Sequence, residues 1–236
     1  MKIGVSICSF AYWVKKYSRK NWVKDQLPLL KMLKGKCDAV ELSFDYKSIK
    51  NMGNELKAKY KQALKPFNSV TSHLHDLKKG KDSEEQFNKT ISKFMKELKI
   101  KHFVVHSYDY SHSDFKPNFP IAIENSGHTK KERCSLKELN KFNKPVVLDI
   151  EHIEEFRKGA FDKQISSVKS KIVEIHFSVP KSNYLKKYNH HCLVYKSEYP
   201  IPKKIPKNTL WIIEGIIPKN RMDLLEKEIE LIKSLK

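Results

Sequence analysis

The chain has 236 residues, 39% hydrophobic and 31% charged, the composition of a folded globular protein and not of a disordered one. No apolar run approaches the roughly 20 residues that span a bilayer, so a membrane-spanning helix is excluded. The net charge of +20 at pH 7 suits a polyanionic partner such as DNA, although a lysine-heavy composition gives the same sign without one.

The first residues, Met1 to Val14, carry one lysine and an apolar stretch. Ser6, Cys8 and Ser9 interrupt it and no small-residue cleavage site follows. Ile3-Gly4-Val5-Ser6-Ile7 therefore reads as a first strand and the protein is expected in the cytoplasm. A helix is predicted around Asn21 to Leu33, a strand over Ala39 to Ser43, and a helix from Ser48 to Leu64. A third strand, Ser69 to Leu74, leads into a helix over Asp82 to Leu98. There Phe87, Ile91, Phe94, Met95 and Leu98 recur at helical spacing, and Ser83 is placed to open the helix.

His102 to His106 is the fourth strand, followed by a turn-rich stretch, Ser107 to Pro120, with room for little helix. Pro120 to Glu124, Pro145 to Asp149, Ile172 to Phe177 and Leu210 to Glu214 complete eight strands. Helices are expected over Ser135 to Phe142, within His152 to Val168, and over Arg221 to Leu235. This alternation predicts a single (β/α)8 TIM barrel over residues 1–236, slightly reduced from the typical length of about 250. Its helices after strands 4 and 7 are expected to be abbreviated. Cys8, Cys37, Cys134 and Cys192 form no C-x-x-C pair and read as reduced thiols.

Seven of the strand-like runs carry a metal-binding side chain: Glu41, His73, His106, Glu124, Asp149, His176 and Glu214. In a parallel barrel the C-terminal strand ends share one mouth, so such residues converge. Asp149 is followed three residues on by His152, in reach of the same mouth. Carboxylate and imidazole ligands of this kind suit zinc or manganese. Glu124 and Glu214 each end an apolar strand, where an unpaired carboxylate is costly. Glu41 reads equally as a partner for a lysine at the rim. His75, His102, His112 and His128 read as structural.

The segment from Ser178 to Asn208 is long and basic, with Lys181, Lys186, Lys187, Lys196, Lys203, Lys204 and Lys207 against the single acid Glu198. Loops of this length in compact domains are usually functional or mobile. All but Arg19, Arg133, Arg157 and Arg221 of the basic residues are lysine, which argues against bidentate base reading. Contact with DNA would run through phosphates, with Lys181, Lys186, Lys187, Lys196, Lys203 and Lys204 as the candidate binding residues.

Taken together, His73, His106, Glu124-Asn125, Asp149-x-x-His152, His176 and Glu214, in this order after strands three to eight, resemble the xylose isomerase-like barrel superfamily. Within it the chain looks most like endonuclease IV. That resemblance implies two or three zinc ions. His73, His106 and Glu124 would hold one, Glu124 would bridge to a second held by Asp149, His176 and Glu214, and His152 with His190 would hold a third. The family's D-R-H segment falls on Asn189-His190-His191, where its aspartate is replaced by Tyr188 or Asn189. The implied activity is phosphodiester hydrolysis at abasic or damaged DNA, with Glu124 and Glu214 among the catalytic residues. The superfamily also contains sugar isomerases and epimerases. These bind one divalent ion through residues matching Glu124, Asp149, His176 and Glu214 and use the two glutamates as paired acid and base on a sugar or sugar phosphate. A barrel that binds nucleic acid without catalysis is the third reading.

Overall fold

The computed structural model describes residues 2–13, 19–75, 77–113, 115–126, 134–153, 165–180, 191–195, 197–199, 205–206 and 208–235. Eight strands, β1 (Lys2–Ser6), β2 (Ala39–Asp45), β3 (Ser69–His75), β4 (Phe103–His106), β5 (Ile121–Glu124), β6 (Val146–Asp149), β7 (Ile172–Phe177) and β8 (Leu210–Ile213), pair in sequence order and close β8 onto β1. Every pairing is parallel. The chain is therefore the (β/α)8 barrel its alternation predicts.

The strand residues divide by parity, because successive side chains point to opposite faces. One set, including Val5, Leu42, Phe44, Val105, Ile123, Leu148, Ile175 and Trp211, packs with the helices in the main hydrophobic core. The other set faces the barrel interior and forms two small apolar clusters, Ala39 with Leu210 and Ile212, and Val104 with Ala122 and Val147. Gly4 lies against the first of these, where a Cβ would sit 2.6 Å from Ile212 and 2.9 Å from Ala39. Between and above these clusters the interior is polar, with Glu41, Thr71, His73, Glu174 and His176 all buried.

The helices are α1 (Arg19–Leu33), α2 (Tyr46–Lys50), α3 (Asn54–Leu64), α4 (Glu84–Leu98), α5 (Ser107–Ser111), α6 (Leu136–Leu139) and α7 (Met222–Lys233). Ser83 caps α4 by accepting from the Gln86 amide at 3.1 Å, as its position predicts. The helix expected over Ser48 to Leu64 is instead two. Asp45 caps α2 through the Ser48 amide at 2.6 Å, and extended Gly53 starts α3 afresh. Among the described residues the five-residue α5 is the only helix between β4 and β5, and none lies between β7 and β8. Residues 154–164, where part of the helix after β6 was expected, lie outside the described residues. No helix among the described residues is long and apolar enough to cross a membrane. Cys8, Cys37, Cys134 and Cys192 form no disulfide.

Candidate metal centre at the barrel mouth

Parallel register places the strand-end side chains side by side. His106 pairs with Glu124 across β4 and β5, Asp149 with His176 across β6 and β7, and Ser43 with His73 across β2 and β3. Glu214 follows β8 directly, its amide bonded to the Phe177 carbonyl at 3.2 Å. Asn125 joins the tops of β5 and β6. It accepts from the Asp149 amide at 2.7 Å and donates to the Asp149 carbonyl at 3.0 Å. The Glu-Asn pair thus sets the relative height of two candidate ligands.

His176 is at the centre. Its Nδ1 lies 2.6 Å from Glu124 Oε1 and 3.4 Å from Glu214 Oε2, and its Nε2 lies 3.0 Å from Glu41 Oε2 and 3.2 Å from Glu174 Oε1. Glu124 Oε2 is also 3.4 Å from Nε2 of both His73 and His106. Asp149 Oδ2 is 2.8 Å from His152 Nδ1, which Ser126 Oγ also meets at 2.8 Å. His191 reaches Glu214 at 3.8 Å and stands beside the His152 ring.

The site's charges explain one another. Burial alone would raise the Glu124 carboxyl, but the His176 and His73 imidazoles outweigh it and hold it well below the usual carboxylate range. Burial also opposes ionisation of Glu214, and His176 again prevails, bringing it to about 2. Burial would lower His73, yet Glu124 and Glu41 push it up to about 9. His176 is raised well above its ordinary value by Glu41, Glu214 and Glu124, also against its burial. Glu41 is the exception, since its burial dominates and its carboxyl is raised.

The donor set fits a divalent cation. Three overlapping groups bring one ligand atom each within 4.8 Å of one another: Glu41, His73, His176 and Glu214; His73, His106 and Glu124; and Asp149, His191 and Glu214. Glu124 Oε2, which faces His73 and His106, and Glu214 Oε2 and His176 Nδ1, which face each other, are buried yet make no hydrogen bond among the described residues. Buried polar atoms are normally hydrogen-bonded, and buried donor atoms left unbonded are what an ion satisfies.

Several sequence expectations change. Glu41 does not meet a lysine at the rim. It sits mid-strand in β2, fully buried in the barrel interior against His176, because it shares the inward parity of Ser43. Of the histidines read as structural, His102 binds Glu174 at 3.0 Å, and His75 meets Ser43 Oγ at 2.8 Å while stacking on His73. His190 and Lys181, Lys186, Lys187, Lys196, Lys203 and Lys204 lie outside the described residues, whereas His191 reaches the site. Glu151 also escaped notice. It accepts from the His191 amide at 2.6 Å and Ser178 Oγ at 3.1 Å, and so ties the loop after β7 to the mouth.

No protein-family model matches the chain, and no curated protein does. Solved structures do match. D-allulose 3-epimerase from Methylomonas sp. is 13% identical with a TM-score of 0.61, over 100% of this chain and 98% of that one. D-psicose 3-epimerase, crystallised in the presence of D-fructose, is 14% identical with a TM-score of 0.57, over 97% and 90%. 3-Keto-D-glucoside 4-epimerase from E. coli is 12% identical with a TM-score of 0.57, over 99% of each. At such identities the likeness is one of fold.

These barrels overturn the expectation of an endonuclease IV-like, DNA-binding repair enzyme, since the proteins matched over nearly the whole chain are sugar epimerases. His73 and His106 stand beside the Glu124 carboxylate, and His152 beside Asp149 and Ser126.

Proposed function

We propose that the chain, as one domain of residues 1–236, is a divalent-metal-dependent isomerase or epimerase of a small sugar or sugar phosphate. The observation that carries this reading is the placement of two buried carboxylates, Glu124 and Glu214, on one imidazole nitrogen of His176, at 2.6 and 3.4 Å. Glu124, Asp149, His176 and Glu214 would hold the ion, zinc or manganese by their oxygen and nitrogen donors. When bound, such a cation polarises the carbonyl and hydroxyl oxygens of a sugar and stabilises the charge that develops on them.

The chain's own residues supply the proton chemistry. One of the two glutamates, ionised, takes the proton from the carbon beside the sugar carbonyl. The other, held ionised in the metal-free site, would carry a proton once metal and substrate are bound and return it to the neighbouring carbon or to the opposite face of the same carbon. The pair ends with the proton moved from one carboxyl to the other, so no outside acid is consumed. His73 and His106 stand 3.4 Å from the second oxygen of Glu124, Oε2.

A cavity of about 830 Å³ opens beside this mouth, lined by Asp45, Ser48, Asn51 and His75 and by Lys24, Lys47 and Lys78. Its size is within the range of small-molecule sites, about 300–1,000 Å³. Its lysines favour an anionic group, which supports a sugar phosphate beside a free sugar. The test is a panel of ketoses, aldoses and their phosphates with manganese- or zinc-loaded protein, followed by product analysis. Interconversion that is lost in Glu124→Gln supports the reading, and no conversion of any member removes it.

A further inference from the structure

The interior of a β/α barrel is ordinarily filled by branched apolar side chains, and a carboxylate there is costly unless it is paired and hydrogen-bonded. Glu174 is fully buried in that interior, two residues before His176 on the same face of β7. Its bonds are complete. Oε1 accepts from His176 Nε2 at 3.2 Å and from Thr71 Oγ1 at 3.3 Å, and Oε2 pairs with His102 Nε2 at 3.0 Å. His102 comes just before β4, so a chain of contacts runs from the mouth, through His176 and Glu174, to the opposite end of the barrel.

We propose that Glu174 is the positioning residue of the metal centre. It accepts the Nε2–H of His176, fixing the ring tautomer and orientation that turn Nδ1 toward Glu124 and Glu214, and His102 and Thr71 hold it in place. A carboxylate offers only lone pairs, so Nε2 carries its hydrogen toward Glu174, while Nδ1, which also faces carboxylates but makes no hydrogen bond among the described residues, is the nitrogen left to bind. Partners of this kind orient metal-binding histidines and make them better donors. Glu41 does not do this work. Its contact with Nε2 is shorter, 3.0 against 3.2 Å, but neither of its oxygens makes a hydrogen bond among the described residues.

The inference rests on the metal-dependent reading, and its test separates the two. Full-length protein labelled with 15N-histidine is examined by NMR, first metal-free and then titrated with Zn²⁺ against a competing chelator. The metal-free wild type is expected to show a hydrogen-bonded His176 Nε2–H signal that Glu174→Ala loses and Glu174→Gln, whose amide oxygen still accepts, retains. Zn²⁺ affinity is expected to fall about 10- to 100-fold in Glu174→Ala and by much less in Glu174→Gln. A Glu174→Ala protein with the wild-type signal and wild-type affinity overturns the proposal, as does loss of the signal in Glu41→Gln alone. If Glu174→Ala does not fold, His102→Ala replaces it. A shifted Nε2–H signal and weakened Zn²⁺ binding support the chain of contacts, and unchanged values overturn it. A wild type that binds no Zn²⁺ sinks the metal-dependent function, while the metal-free signal still decides the role of Glu174.

Discussion

His176 Nδ1 and Glu124 Oε1 lie 2.6 Å apart, joining the end of β7 to the end of β5 across the intervening β6. With Glu214 at 3.4 Å from the same nitrogen, one imidazole organises both candidate proton-transfer groups. Glu124→Gln and Glu214→Gln are each expected to lower kcat by about 100-fold or more, the usual scale of a lost general acid or base. Steady-state kinetics beside thermal unfolding of the same variants checks this, since the fold should survive both changes.

The metal-free protein should lose stability as the pH rises. His73 is raised from 6.5 to about 9, so its protonated form is favoured in the folded state. That contribution is fully present below pH 6.5 and is lost as pH rises through about 9. Its ceiling is about 3 kcal/mol by proton linkage. Urea unfolding with a chelator at pH 6, 7.5 and 9 measures it, and Glu124→Gln, which removes the main anion beside His73, should flatten the slope.

Glu228 is a second buried carboxyl with a distinct effect. From α7 it accepts the backbone N–H groups of Val194 and Tyr195, both at 2.7 Å, and so anchors the loop that carries His191. Burial pushes its carboxyl up to about 7 against those two bonds, so its contribution is present below pH 4.5 and lost as pH rises through about 7. Glu228→Ala leaves two donors without this acceptor, at about 1–3 kcal/mol each. A clearly lowered Tm is the expected result.

Gly215 lets the same loop close on the mouth. A Cβ there would sit 2.8 Å from the Leu193 side chain and 2.9 Å from its backbone Cα and N, which cannot swing aside as a side chain can. Gly215→Ala should therefore cost about 1–3 kcal/mol as an overpacked site. Because Glu214 and His191 flank the contact, it should also weaken metal binding, measurable by chelator competition.

The barrel was legible because its signals are local. β7 matches its predicted span to the residue, and β4, β5, β6 and β8 each differ from theirs by one. The break between α2 and α3 was not, since apolar spacing runs across it and only Gly53 marks it. At the site, the strand-end residues were found through the same alternation, but it was not followed inward. Glu174 stands two residues before His176, and the parity that turns His176 into the barrel turns Glu174 inward as well. Glu41 reads as a lysine partner at the rim although it is internal to both the predicted and the observed β2, where its parity with Ser43 turns it inward. His191 reaches Glu214 through a backbone turn at φ 45, which spacing does not encode, and His190 lies outside the described residues. The net charge of +20 was a poor guide to partner, since it describes the whole surface and not the mouth.

The most direct test of the proposed function is proton exchange in D2O, with metal-loaded protein and a panel of ketoses and ketose phosphates followed by NMR. The account predicts deuterium at a carbon beside the carbonyl of at least one sugar, with formation of its epimer or isomer, both abolished in Glu124→Gln and Glu214→Gln. Metal-loaded wild type that exchanges no carbon-bound proton in any of them, or exchange that persists unchanged in both variants, would contradict it.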